Sequence, residues 1–143
     1  MAQAIIATIT DTARTHFANM LQMGRSFTIT DFTTGSGGHD PGDVVVSLTP
    51  NPAVTSLPSQ SFGPKAISTK TLISPFCVEY LAELELLEAV GPLSNVGLLA
   101  TFTYSPISGD PLIGTTFLFA VANSPLSVKT DSELRSVSLQ VQF

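Results

Sequence analysis

Two groups of residues have the types and spacing that chemistry needs. Glu79, Glu83, Glu85 and Glu88 place four carboxylates within ten positions, and His39, Asp40 and Asp43 follow the glycine-rich run Gly35-Ser36-Gly37-Gly38. Paired carboxylates cleave glycosidic bonds when one is held protonated in an apolar pocket and the other stays ionised. No such asymmetry is visible among the four glutamates, and carboxylates alternating along a strand mark a solvated face or a polar subunit contact. A transition metal needs three or four convergent ligands. The loop offers His39, Asp40 and Asp43, while the second histidine, His16, falls in a helical segment with no evident relation to it. Asp40-Pro41-Gly42 has the chemistry of a turn.

The glycine run could cradle a phosphate only if a Lys-Ser/Thr pair and a helix followed, and Val44-Val45-Val46 follows instead. The sequence has no Gly-x-Ser-x-Gly elbow, and Cys77, between Phe76 and Val78, reads as a small buried hydrophobe. The expectation is therefore no catalytic residue, no metal and no cofactor. For recognition, a sugar-binding face would lean on Trp and Tyr, and the chain has no Trp and two Tyr. Phe62, in Ser61-Phe62-Gly63-Pro64, is the better candidate for an anchor. An apolar ring between turn residues can insert into a neighbour's pocket or pack on its own domain, and both readings are open at this point.

The elements that must position these residues can be read along the chain. Thr10 is a candidate helix N-cap, with Asp11 in the first turn, where the helix dipole favours an anion. Ala13, Phe17, Met20 and Leu21 share one helical face, and Gly24 provides a left-handed stop. Ser26 to Thr34 reads as a strand, and a short strand is expected at Val44 to Leu48. The Pro- and Ser-rich stretch from about 44 to 72 contains Pro50, Pro52, Pro58 and Pro64 and is too long for a connector. It is expected to be an extended arm lying on a neighbouring subunit. On that reading, deleting Asn51 to Lys65 weakens assembly more than folding.

Cys77 to Val90 suits a helix by propensity. With a period of two, Val78, Tyr80, Ala82, Leu84 and Leu86 share one face, and Glu79, Leu81, Glu83 and Glu85 share the other. Val96 to Tyr104 and Thr115 to Ala122 are strands around a turn cluster at Ser105 to Pro111. In the last strand Val137, Leu139, Val141 and Phe143 point inward, alternating with Ser136, Ser138, Gln140 and Gln142. The fold class expected is α+β: one N-terminal helix packed on a mainly antiparallel β-sheet or sandwich with a long extended Pro/Ser-rich arm, in a single domain spanning 1–143.

Composition narrows the function classes. The chain has 143 residues, enough for a core without disulfide or metal staples. Its formal net charge of −5 argues against nucleic acid, which is bound through clustered Lys and Arg. Charged residues are 12% of the chain, while 16 Ser and 17 Thr supply much of the polar surface. With a mean hydropathy of +0.34, this makes a poor surface for a free monomer, and burial against other subunits is the economical explanation. Met1 to Ile9 carries no Lys or Arg and does not read as a signal peptide. No stretch approaches the length of a membrane span. The lone cysteine fits synthesis in a reducing cytoplasm.

Ile9-Thr10-Asp11-Thr12-Ala13 opens a helix that ends at a glycine, and a strand then leads to Gly35-Ser36-Gly37-Gly38. Glu83-Leu84-Glu85 with Val90-Gly91, a Gly109-Asp110 turn and Phe119-Ala120-Val121-Ala122-Asn123 follow. Pro125 and Lys129 then precede Glu133-Leu134 and a terminal alternating strand. This order of motifs resembles the N-terminal attachment domain of phage tail-collar fibre proteins, and the likeness spans nearly the whole chain except its Pro/Ser-rich middle. It implies a strand over Glu79 to Val90, a structural homotrimer, and attachment of a tail fibre to the baseplate of a contractile tail. Family members usually continue into a shaft and receptor-binding tip. This sequence stops at Phe143 and has Pro92-Leu93-Ser94-Asn95 after the mid-domain glycine.

The expectation is thus a virion structural protein, assembled in the host cytoplasm, that acts as a baseplate-to-fibre adaptor or short fibre component. Its partners would be itself, baseplate wedge proteins and a tail fibre chain, with no nucleic acid and no membrane. The candidate contact residues are Phe62, Pro64, Glu83, Glu85 and Phe143. The alternatives are a small glycan-degrading enzyme using Glu83 and Glu85 or the His39 loop, and a free ligand-binding β-domain.

Overall fold

The backbone's ladder hydrogen bonds are satisfied mainly by two sheets, seen in a computed structural model that describes residues 3–143. The elements are β1 (Gln3–Ile6), β2 (Thr8–Ile9), α1 (Asp11–Met23), β3 (Ser26–Gly35), β4 (His39–Asp40) and β5 (Asp43–Ser47). They continue with β6 (Gln60–Ala66), β7 (Thr69–Ser74), β8 (Cys77–Leu84), β9 (Gly91–Tyr104), β10 (Thr116–Lys129) and β11 (Arg135–Gln142). One sheet has the order β1-β11-β8-β7 and the other β2-β10-β9-β3-β6, with β4 and β5 forming a separate hairpin. β1 lies parallel to β11, and the other pairs are antiparallel. One helix on mainly antiparallel β structure is the architecture, with Tyr80, Ala82, Leu84, Leu139 and Val141 from the first sheet meeting Ile29, Phe32, Leu98, Ala100 and Phe119 from the second.

The helix begins and ends where its caps require. Thr10 Oγ1 accepts the Ala13 N–H at 3.1 Å, and Gly24 closes the last turn at φ 80° with its N–H donating to Met20. The same Thr10 hydroxyl donates to the Leu118 carbonyl at 2.7 Å, and the Thr10 N–H donates to Phe119. Those carbonyls flank a β-bulge at Phe119, where Leu118 faces Leu99 but Ala120 faces Leu98. The bulge also explains why this strand is apolar on both sides. Phe119, Ala120 and Ala122 enter the main core, while Leu118 and Val121 turn to the opposite face and are covered by Leu57.

A second bulge lies at Thr30 of β3, where Ile29 faces Ala100 and Asp31 faces Leu99. It lets both Ile29 and Phe32 reach the core despite their odd spacing. The helix buries a different arc from the one its apolar residues suggest. Leu21 is 88% exposed, and His16 takes its place against the sheet, its ring edge-on to Phe102 at 4.8 Å and tilted to Phe117 at 4.5 Å. Phe17 extends this aromatic cluster to Phe27 and Phe119.

The stretch from about 44 to 72 is not a free arm. It contains β5, β6 and β7, and the last two are built into the main sheets through β3 and β8. Pro64 is accommodated because β6 is an edge strand, where a missing N–H costs no ladder bond. Between β5 and β6, Leu57 is buried, the Pro52 carbonyl accepts the Asp11 N–H, and the Pro58 carbonyl accepts from Asn95. Deleting Asn51 to Lys65 would therefore also remove part of the protomer's own packing, a cost to folding beside the expected cost to assembly.

Burial holds the His16 imidazole below its usual pKa of 6.5, and the nearby Arg25 charge acts in the same direction. The fold thus keeps this side chain neutral while the unfolded chain protonates more readily. The resulting stability is present above pH 6.5 and is lost as pH falls from there through the lowered value. His16→Phe should flatten the fall in melting temperature between pH 7 and pH 5 relative to wild type. Parallel profiles by circular dichroism would contradict a half-buried His16 held neutral against the sheet.

Candidate functional site

The buried cation Lys129 organises one end of the molecule. Its side chain is fully buried, and Nζ donates to the carbonyls of Glu85 at 2.7 Å, Leu86 at 3.1 Å and Thr130 at 3.4 Å. β10 ends at Lys129 while β8 ends at Leu84, so the ammonium reaches from one sheet to the turn leaving the other. An ammonium removed from water needs its protons satisfied, and here they fix the start of the Glu85–Val90 turn. Glu88 Oε1 accepts the Glu85 N–H at 2.8 Å and pairs with Lys65, whose Nζ also donates to the Glu83 carbonyl at 3.0 Å. The Lys65 hydrogen bond, then that N–H, holds the Glu88 carboxyl below its ordinary range. Glu133, on the following turn, is lowered by the Thr130 N–H and by Arg135.

This turn corrects the strand expected through Val90. β8 stops at Leu84, and Leu86, assigned by alternation to the inward face, is exposed with Leu87 and Val90. Val128 and Leu134 are exposed beside them. Gly91 pairs with Lys129 and Pro92 with Val128, which brings the start of β9 and the end of β10 to the same end of the molecule as the turn. An open groove of about 380 Å³ runs along it, lined by Glu83, Leu84, Glu85, Leu134, Arg135 and Ser136. Leu84 and Leu134 give the groove an apolar part, Arg135 and Ser136 a polar one, and Glu83 and Glu85 form an exposed carboxylate rim. Neither has the apolar pocket that a raised catalytic carboxyl requires.

The remaining candidate contact residues lie elsewhere. Phe62 pairs with Thr34 across the β6–β3 ladder and packs half-buried on the protomer's own core, which is the second of the two roles weighed for it. Pro64 is exposed on the same edge strand. Phe143 follows β11 and is 56% exposed, yet its ring lies 6.1 Å from Phe17 and 6.4 Å from Phe119. The five residues therefore occupy three places: Phe62 and Pro64 on β6, Glu83 and Glu85 at the groove, and Phe143 after β11.

The glycine loop is the root of the β4–β5 hairpin. Ser94 Oγ accepts the Gly38 N–H at 2.8 Å and lies 2.8 Å from His39 Nδ1. A Cβ on Gly38 would stand 1.9 Å from the Ser94 carbonyl, so the close approach itself demands glycine there. Asp40 Oδ1 accepts the Gly42 N–H, closing the Asp-Pro-Gly turn. Among the described residues no group of three His, Cys, Asp or Glu side chains converges on a metal position. No described helix is long and apolar enough to cross a membrane.

Sequence reasoning did not single out two strands exposed along their whole length. All five residues of β5 and all six of β7 are exposed, including Val44, Val45 and Val46 on one and Leu72 and Ile73 on the other. Phe76, just beyond β7, is exposed too. β7 ends its sheet, while β5 pairs with β4 only through Asp43 and Ser47 and lies close to β10, so Val44 to Val46 have no ladder partner on β4. The run of three valines was the available signal, because a strand apolar at successive positions has to be covered on both faces. No protein-family model matches the chain and no curated protein matches it, so the functional reading rests on these residues and their geometry.

Proposed function

We propose that the chain is a structural virion protein of a contractile phage tail, a homotrimeric adaptor between baseplate and tail fibre or a short fibre component. The observation that carries the assembly part is the pair of fully exposed strands, β5 with Val44, Val45 and Val46 and β7 with Leu72 and Ile73 at the end of its sheet. A free monomer does not leave such strands open to stray pairing, whereas a closed oligomer covers them. The order of motifs from Thr10 to the terminal strand supports the placement in a tail. The segment expected as an arm serves assembly through its strands rather than by reaching out as a free extension.

An adaptor needs a second surface of different character, and the end face around Lys129 supplies one. Its carboxylate rim calls for a partner that brings cations. Among the described residues four of the chain's six Lys and Arg are already committed: Arg25 to Asp110, Lys65 to Glu88, Arg135 to Glu133, and Lys129 to carbonyls. The rim therefore suits a different protein, a baseplate wedge component or a fibre chain, better than a second copy. Exposure of both Glu83 and Glu85 supports contact rather than catalysis at this site.

Antibody labelling of intact contractile tails tests the placement. Label at the baseplate periphery, where fibres attach, is the expected result. Tails that carry the fibres but no label, with the chain found only free in solution, would contradict it.

A further inference from the structure

The two open strands differ in charge as well as position, and that difference selects how they would meet. The β4–β5 hairpin carries Asp40 and Asp43 at its turn, followed by Val44, Val45, Val46 and Leu48. β7 carries Lys70, followed by Leu72 and Ile73 and then Phe76. Lys70 has no ion-pair partner among the described residues, and neither Asp40 nor Asp43 does. Val45 and Leu72 are each 70% exposed, and the strands have nearly the same length.

The geometry points to a head-to-tail contact in which β5 of one copy adds to the β7 edge of the next, parallel and in one register. That register sets Asp43 beside Lys70, Val45 beside Leu72 and Val46 beside Ile73, with Ser47 beside Ser74. The antiparallel register that keeps Val45 beside Leu72 sets Asp43 beside Ser74 and Lys70 beside Ser47, leaving both charges unpaired. Apolar side chains match in either direction, and the Asp43–Lys70 pairing selects the parallel arrangement. A contact of one hairpin with another hairpin would set Asp40 and Asp43 against the same carboxylates, so an isologous pair is disfavoured. A contact between two different surfaces closes into a ring when its rotation allows. This inference rests on the trimer reading and names the surfaces that build the trimer.

The test uses the full chain with two independent readouts. Lys70→Asp and Asp43→Lys should each shift the oligomer to monomer at concentrations where wild type is fully assembled, and the double variant should restore at least half of the assembled fraction. The second readout is a Val45→Cys, Leu72→Cys chain oxidised in solution, with circular dichroism confirming that each variant folds. Disulfide-linked species up to a trimer on a non-reducing gel, absent from either single cysteine variant, are expected. A wild-type trimer that shows neither rescue nor this cross-link overturns the contact and leaves the trimer standing. Cross-linking by Val45→Cys alone indicates a hairpin-to-hairpin contact and also overturns it. A wild type that stays monomeric removes both the contact and the trimer.

Discussion

Replacing Lys129 with methionine should cost about 2–4 kcal/mol of unfolding free energy, because two well-formed carbonyl contacts lose their donor inside the fold. Exchanging a whole buried ion pair for apolar residues is often neutral or stabilising, since both charges leave together. Here the acceptors are main-chain carbonyls of Glu85 and Leu86 and remain in place after the substitution. Methionine keeps the length and volume of the stem, so cavity formation contributes little. Urea unfolding should show a lower midpoint at an unchanged slope. A loss below about 0.5 kcal/mol, the range of ordinary surface substitutions, would mean that the Glu85–Val90 turn does not depend on the ammonium.

Phe119→Ala should be more damaging, at about 3–5 kcal/mol for a fully buried aromatic side chain. Phe119 is 1% exposed and stands at the β10 bulge that also receives the start of the helix. Its ring meets Phe17 at 5.7 Å, Phe27 at 6.0 Å and Phe143 at 6.4 Å, joining the helix, β3 and the end of β11. Losing it opens a cavity where three elements converge. Thermal unfolding with near-ultraviolet circular dichroism reads this as a lower melting temperature and a weaker aromatic signal. A cost near 1 kcal/mol would place the core's centre elsewhere.

Acid acts on the fold through separate groups. Ser105, the Leu112 N–H and Arg25 together hold the Asp110 carboxyl below its ordinary value, tying the loop before β10 to the end of the helix. A lowered carboxylate contributes stability above its unfolded pKa, near 4, which is lost as pH falls through the folded value. That window lies below the one governed by His16.

What was legible in the sequence was local. Thr10, Asp11 and Gly24 marked the helix because capping is settled within one turn of chain. The alternation in β11 placed Leu139 and Val141 inside, although Phe143, read as inward, is exposed and Ser138, read as outward, is buried, and Asp40-Pro41-Gly42 made its turn. The extent of β8 was less clear, since Leu, Ala and Glu favour a helix while their alternation favours a strand. The parts that were not legible depend on residues distant along the chain. Nothing near Lys129 announces its burial, because its acceptors lie more than forty positions away at Glu85 and Leu86. His16 displaces Leu21 from the buried arc only because β9 and β10 bring Phe102 and Phe117 to it. Prolines made residues 44 to 72 read as an arm, although an edge strand tolerates Pro64. Glu83 and Glu85 were found as contact candidates, but the apolar end face beside them came from a turn that alternation had read as strand.

The central claim is that the exposed faces of β5 and β7 are subunit contacts. The most direct measurement is the mass of the purified wild-type chain by size-exclusion chromatography with light scattering, across a hundredfold range of concentration. A species near three times 15.0 kDa that persists on dilution is the predicted result. A single species near 15.0 kDa at every concentration would contradict it, leaving Val45 and Leu72 in solvent with nothing to cover them.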